Sequence, residues 1–135
     1  VTMQYDAFVG EVQNRARLPS RGDTVRAIQA TLETLAERIA PGEADDLAAQ
    51  LPPELGAYLR DPQTTERFAV DEFFLRVAAK ETADLPDATH HARAVVAVLQ
   101  EAVTTGELDD IRAQLPDNYK PLFEAGSEGE MDVNV

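Results

Sequence analysis

The sequence has no cysteine and no tryptophan, and only two histidines among 135 residues. Without cysteine there is no disulfide, thiolate metal site or thiol nucleophile, and nothing calls for an oxidising compartment. Serine is almost as scarce. Ser20 and Ser127 are the two present, neither within G-x-S-x-G, and no glycine pattern of the phosphate-loop or dinucleotide type occurs. Long apolar runs are missing too: the most apolar uncharged stretch is Ala94 to Gln100, far short of the ~20 residues a membrane helix needs. The opening VTMQYDAF has neither the basic nor the apolar region of a secretion signal. The expected location is therefore the cytoplasm. Positive charge is also in short supply. Against 25 acidic residues stand 12 basic ones, a formal net charge of −13, which repels phosphate backbones and anionic lipid. Neither nucleic acid nor membrane is an expected partner.

What is present is a repeat. GEADDLAAQLP, from Gly42 to Pro52, returns as GELDDIRAQLP from Gly106 to Pro116, with eight of eleven positions identical. Around it the apolar residues recur at helical spacing in the same order twice. Tyr5, Phe8, Val9 and Val12 form one stripe, answered by Phe73, Phe74 and Val77. The long series Val25, Ile28, Leu32, Leu35 and Ile39 is answered by Ala92, Val96, Leu99 and Val103. Leu47, Leu51, Leu55, Tyr58 and Leu59 correspond to Ile111, Leu115, Tyr119, Leu122 and Phe123. No stretch alternates with the period of a strand.

The expected fold is all-α. Two units of about 64 residues are each too short to close a core alone, so they pack as a pseudo-twofold bundle of some six to eight helices. The boundaries read as one domain over 1–124, with repeats at 4–60 and 68–123, a linker at Asp61 to Thr65, and an acidic flexible tail over 125–135. Within each copy, Asp23 is the expected cap of the long helix, Pro41 with Gly42 and then Gly106 its stop, glycine supplying a left-handed closing residue. Leu18 to Ser20 and Leu85 with Pro86 read as breaks.

The paired GE-x-DD-[LI]-x-AQLP segments, FFLRVA at Phe73 to Ala78 and HARAV at His91 to Val95 together resemble the bacterial DUF2267 family, common in actinobacteria. The resemblance spans residues 3–124. It implies an all-helical fold and supplies no activity. One departure lies before the second copy's first helix, where Ala69 and Val70 replace the Ser or Thr cap the family suggests, leaving that start frayed or capped by Asp71.

Several residues bear chemistry. Glu43 with Asp46, and Glu107 with Asp110, are i, i+3 pairs on one helix face that can grip a cation, while Asp45 and Asp109 point about 100° away. No EF-hand spacing accompanies them, and acidic first turns complement the helix dipole, so the repeated Gly42, Glu43, Asp45, Asp46, Gln50 and Pro52, with Gly106, Glu107, Asp109, Asp110, Gln114 and Pro116, are read as a structural motif and no metal is expected. Gln50 and Gln114 are expected to hydrogen-bond the broken backbone at their own Leu-Pro corners. His90 and His91 sit side by side on a helix and cannot easily share one metal. Asp87 and Glu107 are their candidate neighbours. Arg15, Arg17, Arg21 and Arg26 form a basic cluster suited to one phosphate or carboxylate. These six residues are the candidate binding positions; no catalytic residue and no cofactor is nominated. The leading expectation is a non-enzymatic acidic helical module that binds another protein or itself in a regulatory role; the alternative is a carrier with a small-molecule pocket between the repeats.

Overall fold

The computed structural model describes residues 3–60 and 65–124. The tail expected over 125–135 and residues 61–64 of the expected linker lie outside them. The described residues fold into eight α-helices and a short 3-10 turn, with no strand among them. In order these are α1 (Tyr5–Ala16), α2 (Arg21–Arg38), α3 (Pro41–Ala49), α4 (Pro53–Arg60), α5 (Val70–Glu81), α6 (Leu85–Ala102), α7 (Thr105–Ala113), the 3-10 turn Asp117–Tyr119 and α8 (Lys120–Glu124). The sequence repeat is matched in length: α1 and α5 have 12 residues each, α2 and α6 have 18, α3 and α7 have 9.

Local chemistry sets the helix starts, and in places it differs from the sequence expectation. Ser20, not Asp23, caps α2: its Oγ accepts the Asp23 N–H at 3.1 Å, which puts Gly22 inside the first turn. Asp84 caps α6 in the same way, accepting the Asp87 N–H at 2.9 Å, so Leu85 and Pro86 begin that helix rather than merely breaking the previous one. Neither Gly42 nor Gly106 closes a helix left-handed. Both lie inside the first turns of α3 and α7, and the positive φ angles among the described residues belong to Arg17 (56°) and Thr82 (58°), the caps ending α1 and α5. The long helices stop instead by extending at Ile39 and Val103. The start of α5 is capped neither by Asp71 nor by its own flank: the Val70 N–H is taken by Oδ1 of Asn118, from the second copy's last segment, at 3.2 Å. That last segment splits into a 3-10 turn and α8 because Pro121 has no N–H for the carbonyl four residues back.

Packing crosses the copies. The first helix of each copy lies on the long helix of the other, α1 on α6 and α5 on α2, and the buried side chains form one continuous core. Phe8, Ile28, Leu32, Leu35, Phe73, Leu99 and Tyr119 are among its largest fully buried members. Phe73 meets the rings of Phe74 and Tyr119 edge-on at 6.1 and 6.0 Å. The segment leading into α5 is tied down at Phe68, whose carbonyl accepts from Tyr119 Oη at 2.7 Å and from Arg38 Nε at 2.9 Å. Arg76 stacks on the Phe68 ring at 4.0 Å and reaches Glu37, Glu66 and Glu72. The Arg76 hydrogen bond and charge hold Glu66 below the usual carboxylate range.

Candidate functional site

The repeated segment supplies the seam. Its two copies are α3 and α7, which pack against one another, and Gln50 and Gln114 reach across that contact. Gln114 Oε1 accepts the backbone N–H of Ala40, the residue before α3, at 2.8 Å. Gln50 Oε1 accepts the N–H of Thr104, the residue before α7, at 2.9 Å. The remaining amide hydrogens go to Thr104 Oγ1 (3.3 Å) and Glu43 Oε1 (3.4 Å). Each glutamine therefore does satisfy interrupted backbone, but at the opposite copy's corner and not its own. The reason is that the first N–H groups of a helix have no partner within it, and the twin's glutamine is what faces them.

Glu43 and Glu107 occupy the third position of α3 and α7, so this packing brings them together, and Asp46 follows one turn after Glu43 on the same face. One oxygen from each of Glu43, Asp46 and Glu107 lies within 4.8 Å of the others. The sequence pairs Glu107 with Asp110; the structure joins Glu107 to the other copy's Glu43 and Asp46 instead. Glu107 is only 7% exposed, whereas Asp46 is exposed. Oε2 of Glu107 and Oε2 of Glu43 are buried with no hydrogen-bond partner. Burial pushes the Glu107 carboxyl up to about 7, helped by the hydrogen bond that only its protonated form can give Glu43 and by the negative charges of Glu43, Asp46 and Asp110.

The candidate binding residues do not converge. Arg15 bridges Glu11 and Glu101 at 3.3 and 2.8 Å, tying α1 to α6. Arg21 pairs with Asp6 at 2.6 Å and lies over the Tyr5 ring. Arg26 approaches Asp23 at 4.0 Å, and Arg17 is the exposed left-handed cap of α1. Each has its own place, so no common anion is gripped. His90 is exposed, while His91 Nδ1 meets Glu81 at 2.7 Å with side chains only 13% and 6% exposed. The hydrogen-bonded neighbour is thus Glu81, at the end of α5, while Asp87 acts on His91 through its charge and Glu107 belongs to the seam. The Glu81 hydrogen bond raises the His91 pKa. Sequence reading missed Glu81 and Thr104. Thr104 was within reach, because T-x-x-E before Glu107 is a capping-box pattern, and its Oγ1 accepts the Glu107 N–H at 3.2 Å. Glu81 carries no such signal.

Fold and seam define an all-α bundle with one core, in which the helices carrying the repeated segment, α3 and α7, meet at a carboxylate-rich contact. The family model of the uncharacterized conserved protein DUF2267 matches residues 5–122, and the chain belongs to that family. No curated protein sequence matches the chain. No described helix is long and apolar enough to cross a membrane.

Proposed function

We propose that the protein is a non-enzymatic regulatory module of the bacterial cytoplasm that binds a basic surface of another protein. The observation behind this is that α3 packs on α7 and each carries two exposed aspartates, Asp45 and Asp46 on one, Asp109 and Asp110 on the other, in a chain of net charge −13. Such acidity repels a second copy of the chain and attracts lysine- and arginine-rich surfaces, chiefly by speeding encounter. The test compares the wild-type chain with D45N/D109N/D110N, which removes charge at exposed positions and leaves Glu43, Asp46 and Glu107 in place. A partner purified from the native source should bind the triple variant roughly tenfold more weakly at low salt, with the difference shrinking at high salt. Equal affinity for both chains at low salt overturns the proposal.

A specific cleft supports a second reading, the small-ligand carrier. Arg26, Gln29, Ala30 and Glu33 of the first copy and Lys80 and Thr82 of the second line an open hollow between α2 and α5. Its polar wall suits a small anion rather than an apolar cofactor. Extra mass of small-molecule size on the natively purified chain, lost in R26A/K80A, would favour this reading over the first.

A further inference from the structure

The seam holds three carboxylates and too little positive charge to match them. Among the described residues none of Glu43, Asp46 and Glu107 reaches a lysine or arginine at ion-pair distance, whereas Asp45, beside Asp46 in the chain, faces Arg60 at 3.6 Å. The N-termini of α3 and α7 offer roughly half a positive charge each, about one charge against three. A buried carboxylate oxygen without a donor is normally protonated, hydrogen-bonded or bound to a metal. Here two are without donors, Oε2 of Glu43 and Oε2 of Glu107, and Glu107 is only 7% exposed.

We propose that Glu43, Asp46 and Glu107 bind one divalent cation, Ca²⁺ in first place, and that this ion fastens the two copies to each other. The donor set is all oxygen, which suits Ca²⁺, Mg²⁺ or Mn²⁺ rather than softer metals. Two ligands of one ion can be no further apart than twice the metal–oxygen distance, about 4.8 Å for Ca²⁺ and about 4.2 Å for Mg²⁺. Three oxygens within 4.8 Å of one another lie at or just beyond that reach, so small side-chain adjustments bring all three onto one Ca²⁺. The surroundings also hold them for this task. Gln114 engages Oε1 of Glu43 and leaves Oε2 unengaged, and Thr104 fixes the turn that carries Glu107. Asp46 is exposed, which gives the ion a way in and leaves positions for water. Because α3 supplies two ligands and α7 the third, the ion bridges the repeat contact.

The test uses the full chain after EDTA treatment and exchange into metal-free buffer. Titration with CaCl2 should give one ion per chain by calorimetry and native mass spectrometry, and about 5 mM CaCl2 should raise Tm by roughly 3 °C or more. Binding should weaken at least tenfold in E107Q and in D46N; the second substitution lies at an exposed position, so it keeps the test open if the first disturbs folding. D110N, equally acidic but outside the three, should retain wild-type affinity. The proposal is overturned if neither CaCl2, MgCl2 nor MnCl2 up to 10 mM shifts Tm or adds mass, which would leave a proton on Glu107 as the occupant. It is equally overturned if D110N weakens binding as much as D46N, since the ion would then be held by the acidic surface at large. Partner binding is tested with D45N/D109N/D110N, which keeps all three ligands, so each idea can fail alone.

Discussion

Glu107→Gln should make the metal-free protein more stable at alkaline pH, and the size of the gain follows from the carboxyl pair. Glu107 titrates near 7 in the folded chain, against 4.5 for an unperturbed glutamate, chiefly because it is buried and then because Glu43 stands beside it. Between those values the native state holds a proton that the unfolded chain has released, so this group favours folding at low pH and its contribution is lost as pH rises through about 7. Moving a carboxyl from 4.5 to about 7 corresponds to at most about 3 kcal/mol. Glutamine keeps the volume, cannot ionise, and offers an N–H to the Glu43 oxygen that has no donor. At pH 8.5 the variant should exceed wild type by about 1–3 kcal/mol, several degrees in Tm, and the difference should fall to below about 1 kcal/mol near pH 5. The assay is urea unfolding followed by circular dichroism from pH 5 to 8.5 in EDTA. Taking the difference between the two proteins cancels the titrating groups remote from the seam, including His91, and leaves Glu107 with the carboxylates it faces. Parallel stability curves across that range would refute the account of Glu107 as a buried carboxyl held protonated by its surroundings.

His91→Ala leaves Glu81 buried without its partner and should cost about 2–4 kcal/mol; in the wild type the pair's contribution is full below the unperturbed histidine pKa and fades as pH rises through the raised folded value, so the loss on mutation should shrink above it, as seen by thermal melts at pH 6 and 8.5. Gln114→Ala and Gln50→Ala each strand a helix-start N–H and should lose about 1–2 kcal/mol in chemical unfolding, with hydrogen exchange rising at Ala40 in the first and at Thr104 in the second. Glycine substitutions should divide by place: a Cβ at Gly56 meets the Ala48 carbonyl oxygen at 3.1 Å, so Gly56→Ala should destabilise by about 1–3 kcal/mol. Gly106→Ala enters open space within a helix and should stabilise by up to about 1 kcal/mol.

The helices, their order and their apolar faces were readable because a period near 3.6 is a local property, and the repeat wrote it twice. Phe8, Val12, Leu32, Leu35, Leu47, Phe73, Val77, Leu99 and Ile111 are all buried as their spacing implies. The helix ends were read less well. At Pro41-Gly42 and Leu85-Pro86 the same residues that stop one helix start the next, and proline at a first turn serves both readings.

What the sequence by itself determined is the all-α class, the repeated eleven-residue segment and the family. What only the tertiary structure decided is who meets whom: α1 on α6, α5 on α2, Gln50 at Thr104, Gln114 at Ala40, Glu81 at His91, and Glu107 at Glu43 rather than Asp110. The physical reason is range. Periodicity and capping act within about four residues, whereas the acidic seam joins groups some sixty residues apart, and their separation is fixed only when the two units bury their faces in one core.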